Sequence, residues 1–214
     1  MTQRSNAVLL DIIHSIILYL VKAGLVLTYD VEHSGLENIP KEGPAVFVSN
    51  HTTIIDSFLI GCYLPRKVYF MTKSTEFESP LRRIFFYLSR TFPVRRYDID
   101  PVAIRNAFRI LDFDGMVGIY PEGERTWDEE MQPFRRGTIR FLLASGVPII
   151  PTAIHHAFQH QPRFGGKIGK PKIHVRVGEP IVLEKKKGSE QTRGDVESFR
   201  ERLESTIKGL SGPA

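Results

Sequence analysis

The chain has 214 residues, 42% of them hydrophobic and 25% charged, with a formal net charge of +5. That mix excludes a disordered polyelectrolyte and gives room for one ordinary domain with a hydrophobic core. A cationic surface attracts anions, whether nucleic acid, anionic lipid headgroups or phosphorylated molecules, and a lone Cys62 excludes an internal disulfide, so nothing calls for an oxidising compartment.

Residues 7–29, AVLLDIIHSIILYLVKAGLVLTY, are strongly apolar but interrupted by Asp11, His14 and Lys22. The uninterrupted run from Ser15 to Val21 falls short of the ~20 residues of a spanning helix, and the cleavage pattern of a secretory signal is missing. The segment reads as a helix packed on the core or lying in the bilayer interface, with a weakly spanning helix as the third option. GLENIPKEG is rich in turn formers and reads as a loop, and PAVFVSN after it as a buried strand. Ile54, Ile55, Phe58 and Leu59 have helical spacing. Cys62 sits among apolar and small residues and reads as a structural thiol. Val68 to Met71 predicts a strand, Ser79 to Ser89 a helix opened by Pro80, and Thr91 to Val94 a short strand. Pro101 to Leu111 predicts an amphipathic helix with Ile104, Ala107, Phe108 and Leu111 on one face.

MVGIYPEG then reads as strand into loop, Thr138 to Ala144 as helix and VPIIPTAI as strand. KIHVRVGEPIVL predicts a strand, a turn and a short continuation. KKKGSEQTRGD is a surface loop, and a charged helix runs from about Gly194 to Leu210. Strands alternating with helices predict an α/β class: a single domain with a central mixed sheet flanked by helices, preceded by the apolar helical segment. The division expected is residues 1–30 for that segment and 31–214 for the domain.

Four segments carry chemistry. In Asn50-His51-Thr52-Thr53-Ile54-Ile55-Asp56, a histidine stands where a strand gives way to a helix, the place where α/β folds bind ligands. On one regular helix His51 and Asp56 would lie about 140° apart, so they meet only if His51 precedes the helix. A carboxylate on one ring nitrogen would then fix the tautomer and leave the other nitrogen to take a proton; the same residues also suit a histidine satisfied within the core. In Tyr120 to Thr126, Pro121 and Gly123 force a turn that could expose amides, and Arg125 could hold a phosphate. A surface turn with an ordinary Glu–Arg pair is the plain alternative. Arg95 and Arg96 follow the strand ending at Val94, and neighbouring strand positions point oppositely, so at most one faces a cleft. Val147-Pro148-Ile149-Ile150-Pro151 is apolar and would line a wall.

In this order and spacing the four segments resemble the glycerolipid acyltransferase family, which includes the 1-acylglycerol-3-phosphate acyltransferases. Asn50, His51 and Asp56 match its first block. Phe92, Pro93, Val94 and Arg96 match its second, with Arg90 where the family has glycine. Tyr120, Pro121, Glu122, Gly123, Arg125 and Thr126 match its third, with Glu124 in place of threonine, and the fourth is met in full. Lys73, the leading Gly-Leu-Glu-Asn-Ile-Pro and the late Val-Gly-Glu-Pro-Ile are similar to family features too, so the likeness spans about 35–181.

The resemblance implies transfer of a fatty acyl group from a thioester donor, acyl-CoA or acyl-carrier protein, to the free hydroxyl of 1-acylglycerol 3-phosphate. His51 would be the general base and Asp56 its partner, with Lys73, Arg96, Glu122, Gly123 and Arg125 binding substrate. It implies no cofactor, no metal and no nucleic-acid partner, and a peripheral or monotopic place on the cytoplasmic face of a membrane. No Gly-x-Ser-x-Gly elbow is present, in keeping with direct attack by the acceptor. Other acceptors (glycerol 3-phosphate, another lysophospholipid, a lyso-aminolipid) stay open, as do a hydrolase and a non-catalytic binder of anionic membranes. Arg82, Arg83, Arg135, Arg136 and Arg140 read as a solvated basic face that could meet anionic lipid or an acidic carrier. His155, His156 and His160 could be considered as metal ligands, but no acidic or thiol partner lies nearby in sequence.

Overall fold

The computed structural model describes residues 2–128, 130–159 and 170–211, with side chains from residue 8 onward. The chain opens with α1 (Thr2–Thr28) and β1 (Asp30–Ser34), followed by β2 (Ala45–Ser49), α2 (Asp56–Gly61) and β3 (Val68–Lys73). Next come α3 (Pro80–Leu88), β4 (Thr91–Val94), α4 (Pro101–Asp112), β5 (Met116–Ile119) and α5 (Arg136–Ser145). β6 (Ile149–His155), β7 (Lys172–Val177) and α6 (Arg193–Leu210) complete it.

The strands form one seven-stranded sheet in the order β1-β7-β6-β2-β5-β3-β4. Every pairing is parallel except β6 with β7, which makes the sheet mixed. The expected α/β architecture is the one observed. β2 is buried at all five positions and its side chains alternate between two cores. Val46 and Val48 pack with Ala107 and Leu111 of α4, Leu142 of α5 and Leu203 of α6. Ala45 and Phe47 pack on the other face with Leu59 and Ile60 of α2 and Leu25 of α1. Pro93 falls in β4, the edge strand, where a missing amide hydrogen breaks no interior ladder.

Three expectations are revised. The apolar segment, expected to be a helix short of a span, is one continuous helix of 27 residues, and Val8–Thr28 is long and apolar enough to cross a membrane by length and composition. Leu25 is the one buried apolar side chain among its described residues, while Leu9, Leu20 and Leu27 stand exposed. β1 was absent from the sequence reading. The fourth block does not line a cleft wall: Ile149 and Ile150 are fully buried, in a strand between β2 and β7.

The block β2-β5-β3-β4 gathers the chemistry-bearing segments. These four adjacent strands run the same way, so the segments leaving their carboxyl ends meet at one edge of the sheet. Those segments carry His51, Tyr120 to Arg125, Lys73 and Arg96.

Candidate active site

β2 ends at Ser49, and Asn50 ends the strand by using its side chain as a surrogate peptide. Its amide nitrogen donates to the Ile154 carbonyl at 2.9 Å, and its amide oxygen accepts from the Ile154 N–H at 2.8 Å. His51 therefore leaves the sheet from a fixed point. The loop after β5 clamps its backbone on both sides: the His51 N–H donates to Glu122 Oε1 at 2.6 Å, and its carbonyl accepts from the Thr126 N–H at 2.8 Å.

His51 lies before α2 and Asp56 is that helix's first residue, so the bend required by their spacing is present. His51 Nδ1 is 2.8 Å from Asp56 Oδ2. The Asp56 carboxylate is fully buried and also accepts from the N–H groups of Thr52 and Thr53, at 2.7 and 2.9 Å, and from both threonine hydroxyls. This many donors make burying a carboxylate tolerable and orient it toward the ring. Tyr120 stacks on the His51 ring with centroids 4.0 Å apart and planes 13° apart, and its hydroxyl lies 3.0 Å from Ser57 Oγ. Burial pushes the Tyr120 phenol well above its ordinary range, so it stays neutral.

Burial lowers the His51 pKa below its usual 6.5; the Asp56 hydrogen bond and charge oppose this, and Arg96 and Arg125 add to it. At neutral pH the ring is uncharged. With Nδ1–H donating to Asp56, Nε2 is the basic nitrogen. The ring lines a cleft of about 290 Å³ together with Lys73, Arg96, Tyr120, Arg125 and, from α1, His14 and Leu18. A base and three cations thus share one cavity, which suits an anionic ligand that also carries a proton to be removed.

The two adjacent arginines separate in the turn that follows β4. Arg96 lines the cleft, whereas Arg95 turns to Asp100, Nε 3.7 Å from Oδ2. Asp100 also caps α4 through the N–H groups of Val102 and Ala103 and accepts from the Arg95 N–H at 2.9 Å, which closes the loop that carries Arg96.

Two of the expected substrate contacts, Glu122 and Gly123, are engaged by the protein itself. Glu122 is 3% exposed and does not line the cleft; Oε1 takes the His51 N–H and Oε2 the Gln132 N–H at 2.7 Å. Burial raises its pKa to about 7. Gly123 is likewise held within the loop. Its N–H donates to the Tyr120 carbonyl, its φ is +81°, and a Cβ there would stand 2.1 Å from Arg135 Nε. The amides that the turn was expected to expose include two already in use, those of Gly123 and Thr126. Arg135 itself leaves the solvated basic face, donating from Nε to the Glu122 carbonyl at 2.9 Å and lying over the Tyr97 ring.

Sequence reasoning missed Asn50, Thr52, Thr53 and Tyr120 as supports of the His51–Asp56 pair. The threonines were legible in principle, since Ser or Thr beside a turn commonly bonds locally. Among the described residues no group of three or more His, Cys, Asp or Glu could hold a metal. His155 donates from Nε2 to the Leu210 carbonyl, and His160 lies outside the described residues. Cys62 is half-buried in apolar surroundings that push its thiol up to about 11, so it is not a nucleophile at neutral pH.

Comparison with known proteins bears on this geometry. The family model for acyltransferases matches residues 30–155. The 1-acyl-sn-glycerol-3-phosphate acyltransferase of Bacillus subtilis is 28% identical over 148 residues, covering 68% of this chain and 70% of that protein. The chloroplastic enzyme of the same name, BAT2, from Brassica napus is 27% identical over 159 residues, which is 72% of this chain but 45% of the plant protein. The crystal structure of the 1-acyl-sn-glycerophosphate (LPA) acyltransferase PlsC from Thermotoga maritima superposes with a TM-score of 0.77 at 22% identity, over 98% of this chain and 82% of that one, and so shares the fold.

Proposed function

This chain belongs to the acyltransferase family, and from that premise we propose that it acylates the free hydroxyl of 1-acylglycerol 3-phosphate, drawing on acyl-CoA or acyl-carrier protein to give phosphatidate. One observation carries the reading. The His51–Asp56 pair, 2.8 Å apart, opens onto the same cleft as Lys73, Arg96 and Arg125. The names of the relatives support the acceptor.

In this reading the three cations hold the acceptor's phosphate, and its hydroxyl meets His51 Nε2. Nε2 takes the hydroxyl proton as the oxygen attacks the thioester carbonyl. The tetrahedral intermediate expels the thiolate, which recovers the proton from the imidazolium. Asp56 holds the tautomer that makes Nε2 basic and stabilises the imidazolium between the two transfers. Glu122 and Gly123 act as positioning residues: one ties the His51 backbone to the loop after β5, and the other lets that loop turn against Arg135. In the same reading residues 31–214 are the catalytic domain, and α1 holds it, as a peripheral or monotopic protein, on the cytoplasmic face of a membrane.

The test is transfer by the purified full chain, assayed with a panel of lyso-lipids and glycerol 3-phosphate against both donors. His51→Ala is expected to cost about 10²–10⁴-fold in kcat without lowering the melting temperature by more than a few degrees. No product from any acceptor would sink the proposal. Fatty acid released independently of acceptor would make the protein a hydrolase, and an active His51→Ala would remove the base from the mechanism.

A further inference from the structure

Two polar atoms in the residues lining the cleft have no hydrogen-bond partner: Nε2 of His14, from α1, and Oγ of Ser89, at the end of α3. Both residues are more than nine-tenths buried, at 2% and 7% exposure. Buried polar atoms are rarely left unpaired, because desolvation without a replacement bond destabilises the fold. Two in one cavity call for an occupant. They are also neighbours, since His14 Nδ1 lies 3.0 Å from the carbonyl of Leu88, the residue before Ser89.

Their chemistry is complementary. A carbonyl only accepts, so Nδ1 carries the hydrogen, and in the uncharged ring that burial favours Nε2 is an acceptor. The Ser89 hydroxyl can donate. Together they present one acceptor and one donor.

The group they would hold is set by the acyl-transfer reading, on which this inference rests. Phosphate is taken by Lys73, Arg96 and Arg125, and the reacting hydroxyl by His51. The polar groups left over are the ester carbonyl of the acceptor and, on the donor's pantetheine arm, the thioester, the secondary amides and a hydroxyl that lies beyond both amides from the reacting thioester. An ester or thioester carbonyl could use Ser89 but would leave His14 Nε2 unpaired. A secondary amide offers N–H and C=O together. We infer that His14 and Ser89 form a subsite for a secondary amide of the pantetheine arm that acyl-CoA and acyl-carrier protein share. Leu18, Phe58 and Phe86 in the same lining supply apolar surface for the methylenes of that arm.

The experiment compares octanoyl thioesters of N-acetylcysteamine, which carries the amide, and of propanethiol, which has none, using the full chain and lysophosphatidate. Wild type should prefer the amide donor in kcat/KM by about thirtyfold, the worth of two net hydrogen bonds. His14→Leu and Ser89→Ala should each cut that preference to about fivefold, the worth of the one bond that remains, with the acceptor KM unmoved and folding checked by thermal melting. If His14→Leu does not fold, the nearly isosteric Ser89→Ala decides alone. Parallel reactions with palmitoyl-CoA and palmitoyl-acyl carrier protein identify the natural carrier by their relative kcat/KM. Absence of a preference in wild type, or its undiminished survival in both variants, overturns the subsite. Absence of any transfer by wild type overturns the acyltransfer reading instead.

Discussion

Helices α1 and α6 are the two longest of the described elements, at 27 and 18 residues, and they are built on opposite plans. α6 follows the rule for a helix on a water-soluble domain. Val196, Phe199, Leu203 and Ile207 point inward, and its outer face carries charges that pair with one another, Arg200 with both Glu197 and Glu204. α1 is inverted. Val8, Leu9, Ile12, Ile16, Tyr19, Leu20, Val26 and Leu27 face outward. Three of its polar residues face the protein: Asp11 reaches Lys67 at 2.8 Å and also Arg90, His14 reaches the Leu88 carbonyl, and the Lys22 ammonium lies 4.3 Å from the Tyr63 ring centroid. Residues 11, 14, 18, 22 and 25 recur at helical spacing and form the docking face. The interruptions that argued against a membrane helix are thus the contacts that attach it. A helix pattern says which face is polar; the solvent outside decides which way that face turns.

The comparison breaks most visibly if the outward face of α1 is made polar. Replacing Leu9, Leu20 and Leu27 together by Ser should lower partitioning onto anionic vesicles by about 10³-fold, from roughly 1.5 kcal/mol for each apolar side chain withdrawn from lipid. The melting temperature should hold within about 2 °C, because none of the three supports the core. On α6, Leu203→Ala should do the reverse, costing about 2–5 kcal/mol of stability and leaving vesicle binding by the folded protein unchanged. Cosedimentation and thermal melts on both variants read this out. If the triple variant unfolds, α1 packs on something the comparison has missed.

The next largest effect concerns where a carboxylate is allowed. α6 keeps its carboxylates near water, and α1 keeps its single one, Asp11, beside cations. Glu122 has neither, being buried with only two backbone N–H groups and a pKa raised to about 7. A carboxyl whose folded pKa exceeds its unfolded value contributes stability that is full below the unfolded pKa and lost as pH rises through the folded one. Between pH 5 and 8 this group should therefore cost roughly 2–3 kcal/mol. Urea melts at the two pH values should show that loss in wild type, and Glu122→Gln, though less stable at pH 5, should lack the slope. Equal slopes in both proteins would mean that the buried carboxylate is not the titrating group.

Most of the scaffold was legible because it repeats. β2, β3 and β5 are short apolar runs, and α4, α5 and α6 have one apolar face each. β1 was not legible: in Asp30–Ser34 only Val31 is apolar, and its ladder partner β7 begins at Lys172, a pairing with no local trace. At the site, the resemblance of the ordered blocks singled out His51 and Asp56, whose spacing alone left a histidine satisfied within the core open. It could not give the direction of Glu122 or Gly123, since a turn's side chains follow from what packs beneath it, here Arg135 and the His51 backbone. Tyr120 was seen as the end of a strand, and nothing in its position announced that its ring would lie under the imidazole.

Arg90 is where the sequence departed from the family's glycine, and the fold gives the reason such a position favours one. Its φ is +58°, in the left-handed region that costs a residue with a Cβ about 1–2 kcal/mol. The side chain offsets part of this by reaching Asp11 on α1 and lying 5.7 Å from the Tyr69 ring centroid. Asp11 is about half exposed, so that pair contributes no more than about 1 kcal/mol. The two effects are of similar size and opposite sign, which sets up the smallest and most discriminating test. Arg90→Ala keeps the strained backbone and loses the latch, so it should melt about 2–4 °C lower. Arg90→Gly loses the same latch but relaxes the backbone, and should melt within about 2 °C of wild type. The difference between the variants isolates the backbone, and the fall in Arg90→Ala isolates the hold on α1. Should glycine fall as far as alanine, the left-handed backbone costs nothing here, and the arginine's worth lies wholly in its grip on the inverted helix.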